Sequence, residues 1–163
     1  MESERLELRL LSEDDLDAWA DFLGDAEATR LLHTPAPVRD PERVLAGLRR
    51  WGSMTEGPVG MYALVERESR ETVGFVGFAE RELDWGDEIE LGWLIRRAHW
   101  GHGYATEAAR ALRPLVPERI VSMIRVENEA SANVARKLGM SIERELDYYG
   151  FRTHVWVSPP AAQ

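Results

Sequence analysis

The sequence predicts one mixed α/β domain built on a central, largely antiparallel sheet flanked by helices. Its elements read β-α-α-β-β-β-α-β-α-β-β. Three observations carry this reading. Strand-like runs of period two open the chain and dominate its second half. Helical stripes of period 3.6 sit between them, each with a start or stop signal. A length of 163 residues is that of one domain and suffices to bury a sizeable core.

Leu6, Leu8 and Leu10 alternate with Glu7 and Arg9 as a half-buried strand. Ser12 with Asp15 forms a capping-box pattern, after which Leu16, Trp19, Ala20 and Leu23 make a helical stripe that Gly24 ends. Thr34-Pro35-Ala36-Pro37 reads as a loop. Asp40-Pro41 opens a second helix with Val44, Leu45, Leu48 and Trp51 on one side. Met61–Glu66 and Val73–Glu80 form an antiparallel pair turning near Glu68-Ser69-Arg70. Asp84–Asp87 is a loop, and Glu88–Ile95 is the next strand. Beyond the third helix, Ile120–Val126 is a strand, and Ile142–Tyr148 and Phe151–Val157 pair across Gly150. The domain spans residues 1–157, and 158–163 form a flexible tail.

The most informative run is Trp100-Gly101-His102-Gly103-Tyr104-Ala105. It leaves an apolar strand and enters the helix former Thr106–Leu112. Glycines let a ligand approach the backbone, and the unpaired N–H groups and dipole of a helix start attract anions, so this is a phosphate-holding device. It is neither the Gly-x-Gly-x-x-Gly dinucleotide pattern nor a loop with Gly-Lys-Ser/Thr. A second segment, Asn128 to Met140, is a short helix with both ends marked. Asn128 is a good N-cap, Glu129 suits the positive end of the dipole, and Gly139 supplies the left-handed residue after the helix.

Together these segments resemble the Gcn5-related N-acetyltransferases. Their cofactor loop reads Gln/Arg-x-x-Gly-x-Gly/Ala, matched here at Gly103 and Ala105, with Trp100 departing from the usual Gln/Arg. Their second cofactor segment, Asn-x-x-Ser/Ala with a Lys-Leu-Gly-Phe-like end, is matched by Asn128, Ser131, Lys137, Leu138 and Gly139. The motifs stand in the family's order, and the opening Arg5–Asp15 resembles the subgroup that acetylates ribosomal-protein N-termini. The resemblance implies acetyl-CoA as cofactor, a sheet splayed beside it, and transfer of acetyl to a primary amine. The acceptor is a protein N-terminus or a small molecule, and a homodimer is compatible. Two alternatives stay open: transfer of another acyl group such as succinyl, and a CoA-binding sensor of the same fold.

The resemblance also implies roles. The pantetheine arm pairs with backbone at Trp93, Leu94 and Ile95. The pyrophosphate lies on Gly101, Gly103, Tyr104 and Ala105, beside His102 and Thr106, with Asn128, Asn133 and Lys137 contributing from the second segment. Of the cations Arg96 and Arg97, one faces the phosphates and one faces solvent. Ser131 stands where the subgroup has its proton donor; Ala135 stands where much of the family has a tyrosine acid. Tyr148 or Tyr149 replaces that tyrosine only if the last hairpin folds over the site. The early helical region lines the acceptor pocket in the family, although His33 and Trp51 read first as packing or exposed residues.

Period two places Glu88, Glu90, Gly92 and Leu94 on one face of their strand and Ile89, Leu91, Trp93 and Ile95 on the other. A carboxylate amid an apolar strand needs a reason. Glu90 is therefore the first candidate for a water-mediated base, against a structural carboxylate bonded to backbone or arginine. Glu80 and Asp84 are reserves on the same side. His99 and His102 read as surface residues, and no metal site is expected.

Composition narrows the classes further. Without cysteine there is no disulfide, thiolate nucleophile or cysteine-ligated zinc. No apolar run approaches the ~20 residues of a membrane span. Glu2 and Glu4 are unlike a secretory leader, so the cytoplasm is the expected compartment. A net charge of −9 disfavours nucleic acid and anionic lipid and draws in cationic amines. Lys137, the single lysine, falls where the family motif has one.

Overall fold

The computed structural model describes residues 1–34, 37–52 and 58–158. Seven strands make one sheet in the order β1-β2-β3-β4-β5-β7-β6. They are β1 (Leu6–Leu10), β2 (Gly60–Glu66), β3 (Thr72–Leu83), β4 (Gly86–Ile95), β5 (Ile120–Arg125), β6 (Ser141–Tyr148) and β7 (Phe151–Ser158). Helices α1 (Leu16–Gly24), α2 (Ala26–Thr29) and α3 (Pro41–Gly52) lie between β1 and β2. Helix α4 (Tyr104–Leu112) connects β4 to β5, and α5 (Glu129–Lys137) connects β5 to β6. No helix among the described residues is long and apolar enough to cross a membrane.

All sheet neighbours are antiparallel except β4 and β5, which run parallel and share one registered pair, Glu90 opposite Val121. Ser122 Oγ adds a bond to the Leu91 carbonyl at 2.7 Å, and there the two strands part. From Gly92 to Ile95 this edge of β4 has no strand beside it, while its other edge stays paired with β3 as far as Gly74 and Ile95. The splay is the feature that positions the site.

Alternation divides the core between the two sheet faces. Leu6, Leu8, Val76, Phe78 and Leu91 pack under α4 and α5 against Ala108, Leu112 and Ala135. Phe75, Ala63 and Met61 pack under α1 and α3 against Trp19, Phe22, Val44 and Leu48. The β2–β3 contact demands glycine at 77, where a Cβ would sit 2.2 Å from the Gly60 carbonyl oxygen. At the start of α1 the buried Asp15 carboxylate accepts the Ser12 N–H at 3.0 Å and both Arg9 guanidinium nitrogens at 2.8 Å. Every buried oxygen there is satisfied by charge-assisted bonds.

Several sequence expectations shift. Leu10 is 44% exposed, because the chain leaves the sheet there and the next residue, Leu11, enters the opposite core. The expected loop Asp84–Asp87 contracts to a tight turn, with Leu83 paired to Gly86. Helix α2 is new; its signal is Asp25, whose carboxylate accepts the N–H groups of Glu27 and Ala28. Ser158 belongs to β7 rather than to a tail, being paired with Ile120 and buried. The rest of the expected tail, and Pro35 with Ala36 of the expected loop, lie outside the described residues.

Candidate active site

The Gly101–Gly103 turn delivers the chain from β4 into α4. Both glycines have φ of +79°, the left-handed region. A Cβ at Gly101 would meet nothing within 4 Å, so backbone handedness and not crowding requires glycine there. Gly103 caps α4 with no side-chain bond. Consequently no N–H from Gly101 to Thr106 has an acceptor among the described residues. Six consecutive donors beside the positive end of a helix make an anion seat.

That seat opens into a cavity of about 390 Å³ bounded by Trp93, Leu94 and Ile95 of the unpaired β4 edge and by Asn128, Ser131, Asn133 and Lys137 of the α5 segment. Asn128 Oδ1 accepts the Ser131 N–H at 3.1 Å and so fixes the start of α5. Trp93 Nε1 donates to Ser131 Oγ at 3.2 Å across the gap between β4 and β5. This bond occupies a lone pair of the serine oxygen and leaves its hydroxyl hydrogen free to donate elsewhere. Lys137 has no ion-pair partner among the described residues.

On the α1/α3 side of β4 lies a second cavity of about 420 Å³, which also reaches Trp93, Leu94, Asn128 and Ser131. The two cavities therefore meet at the splay. The second wall includes the aromatic rings of Phe22, Trp51, Tyr148 and Tyr149. Its charged groups include Glu90, which is ion-paired with Arg81 and 17% exposed. Burial, followed by the nearby Glu90 charge, pushes the Tyr148 phenol above its ordinary value. The last hairpin thus folds over the site, the condition under which its tyrosines matter. His33 lies in the same wall, edge-on to Tyr148 at 5.1 Å.

The model of the acetyltransferase (GNAT) domain matches residues 5–141. The chain belongs to the GNAT acetyltransferase family. It is 27% identical over 153 residues to an uncharacterized N-acetyltransferase, p20, of Bacillus licheniformis, covering 90% of this chain and 85% of that one. An acetyltransferase structure from Agrobacterium tumefaciens is 28% identical with a TM-score of 0.77, covering 97% of this chain and 92% of that one. The RimL ribosomal L7/L12 α-N-protein acetyltransferase, solved with coenzyme A, shares the fold at 22% identity. Its TM-score is 0.83, with 99% of this chain and 97% of that one covered. This GNAT chain is accordingly an acyl-CoA-dependent acetyltransferase with acetyl-CoA as its cofactor. The residues present fit that cofactor: an anion seat of open N–H groups, an unpaired strand edge beyond it, and an unpartnered lysine beside it.

Most of the residues singled out in the sequence line this GNAT cleft, and a few do not. Arg96 bonds Asp21 at 2.9 Å and the Thr72 carbonyl at 2.8 Å. Arg97 pairs with Asp25 at 2.8 Å. Neither cation reaches the cofactor cavity, because carboxylates near the end of α1 take both. His102 stacks on Tyr104 and donates Nδ1–H to the His99 and Trp100 carbonyls, outside the cavity. His99, expected at the surface, instead lines that cavity, and burial followed by the Arg96 charge holds its imidazole below the ordinary value. Glu80 sits opposite Ile89, on the α4 face and away from the acceptor side, and Asp84 lies in the hairpin turn. Sequence reasoning missed Arg30, Leu31 and Leu32, which line both or one of the cavities from the turn after α2.

Proposed function

We propose that this GNAT enzyme moves the acetyl group of acetyl-CoA to the primary amine of a small molecule or peptide N-terminus held in the aromatic cavity. The observation that carries the reading is the meeting of the two cavities at Trp93 and Ser131. A donor and an acceptor entering from opposite sides of β4 would be held face to face there, which is the orientation contribution to the rate. Bound acetyl-CoA supplies a thioester carbonyl as the electrophile.

The roles of the protein groups follow from their bonds. The N–H groups of Gly101 and of Gly103 to Thr106 hold the phosphates, with Lys137 adding a charge, and Asn128 and Asn133 line the cavity beside them. The free edge of Trp93, Leu94 and Ile95 offers backbone partners to an extended amide-bearing arm. Ser131 is the proton donor to the departing sulfur, its oxygen aimed by the Trp93 indole. Glu90 carries one carboxylate oxygen tied to Arg81, which suits it to holding an ammonium in place. The aromatic walls favour an apolar body next to that amine, since rings pair with apolar groups and with cations.

A panel of phenethylamine, a peptide amide with an N-terminal alanine, and spermine tests this, with free thiol released from acetyl-CoA as the readout. The expected order places phenethylamine and the peptide above spermine. Absence of amine-dependent thiol release from all three, with CoA binding intact, refutes the acceptor assignment.

A further inference from the structure

We propose that His33 takes the proton from the acceptor ammonium, with Nδ1 as the receiving atom and Thr153 as the residue that sets the tautomer. The inference rests on the acetyl-transfer reading above and extends it.

The hydrogen bonds fix the ring. Thr153 is fully buried, and its Oγ1 lies 2.9 Å from the Phe151 carbonyl oxygen and 2.9 Å from His33 Nε2. A carbonyl oxygen only accepts, so the single hydroxyl hydrogen goes to Phe151. The threonine oxygen then offers the imidazole a lone pair alone, and Nε2 must carry hydrogen. In the neutral ring Nδ1 is therefore bare, and it has no partner among the described residues.

Surrounding groups hold the imidazole in place and neutral. Tyr148 of β6 and Phe151 of β7 meet its ring at 5.1 and 6.3 Å. Arg125 of β5 donates to the carbonyls of Arg30 and Leu32 at 3.3 and 3.4 Å, clamping the turn that carries His33. Burial, followed by the Arg125 charge, lowers the His33 imidazole below 6.5, with Glu127 opposing. The other ionisable groups of this wall are the Tyr148 phenol, which is neutral at pH 7, Tyr149, Arg50 of α3 and the Arg81–Glu90 pair. The wall thus contains an unprotonated nitrogen at neutral pH, while its carboxylate, Glu90, has one oxygen tied to Arg81.

The proton balance is simple. The ammonium gives one proton to Nδ1, directly or through one water, leaving a neutral amine and an imidazolium. The imidazolium then returns that proton to bulk water before the next turnover.

Two measurements on the full chain test this. Long-range proton–nitrogen NMR reads the ring, with His33 assigned by the signal lost in His33→Gln. The expected spectrum is a neutral Nε2–H imidazole at pH 7 titrating below 6.5, and Thr153→Val should mix the tautomers. Turnover with phenethylamine or the alanyl peptide should fall by roughly 10²–10⁴-fold in His33→Gln, with its acid limb below pH 6.5 abolished and CoA affinity unchanged. In Glu90→Gln that limb should remain. An Nδ1–H or charged ring at pH 7, or an acid limb that survives His33→Gln, overturns the proposal. If neither amine is a substrate of the parent enzyme, the acceptor assignment fails, and the ring spectrum still decides the tautomer.

Discussion

Replacing Gly101 by alanine separates ligand binding from backbone strain, because the molecule supplies its own control. Gly101 has φ of +79° and Gly139, after α5, has φ of +75°; a Cβ at either would meet nothing within 4 Å. An alanine at each position therefore costs only the left-handed conformation, about 1–2 kcal/mol. At about 2–4 °C per kcal/mol for a domain of this size, both variants should melt about 2–8 °C below the parent. Only Gly101 borders the cofactor cavity, so only Gly101→Ala places a methyl group in the anion seat. Displacing one or more charge-assisted N–H contacts, worth about 1.5–3 kcal/mol each, weakens binding by roughly 10- to 150-fold. Calorimetry with CoA at fixed salt reads the affinity, and scanning calorimetry without ligand reads the strain. If Gly101→Ala binds CoA as tightly as Gly139→Ala, the N–H groups of this loop do not hold the phosphates.

Other substitutions probe the remaining contacts. Trp93→Phe removes the bond to Ser131, worth about 0.5–1.5 kcal/mol, and should lower kcat about two- to twelvefold with unchanged CoA affinity; an unchanged kcat argues against Ser131 as donor. Glu90→Gln should raise the KM for the amine by roughly 10- to 150-fold and leave kcat less affected, since a charged hydrogen bond to the ammonium is lost. Lys137→Met should weaken CoA binding about two- to fivefold at low salt and less at high salt, because the side chain is exposed and screened. Glu107 accepts from Ser3 Oγ, the Arg5 N–H and Arg5 Nε at 2.6–2.8 Å, and although burial opposes, these bonds hold its carboxyl below 4.5. A carboxyl depressed in the folded state stabilises above its unfolded value and ceases to do so as pH falls through the folded one. Glu107→Gln should therefore cost about 1–3 kcal/mol at pH 7 and flatten the acid side of the melting curve below pH 4.5.

The glycine turn and the capped α5 were legible because each is written in a few adjacent residues, whereas the free β4 edge was implied only by the family resemblance. Left-handed glycines, an asparagine cap and a period-two strand are local signals, and the fold places them together without further information. Legibility ends where the site is closed by distant chain. His33 and Thr153 are 120 positions apart, and no local pattern joins a turn after α2 to the last strand. The Arg81–Glu90 pair depended on register: the tight turn at Asp84 and Trp85 sets Arg81 opposite Glu88 and diagonal to Glu90 on the same face. An expected four-residue loop concealed that diagonal. Arg96 stands away from the cavity for a related reason, since Asp21, to which it is bonded, lies 75 positions earlier.

The placement of the site follows from one topological fact. A parallel pair cannot be joined by a hairpin, so β4 must send the chain across the sheet face through α4 before β5 begins. The start of that crossover helix necessarily emerges at the end of β4, where its unpaired N–H groups point outward. Because β4 and β5 are registered at Glu90 and Val121 alone, the same end of β4 also loses its strand partner. An anion seat and an open backbone edge therefore arise side by side from a single parallel step in an otherwise antiparallel sheet. The helix that follows β5 then brings Ser131 against Trp93 across the opening. Ser122, bonded to the Leu91 carbonyl, marks where the pairing stops.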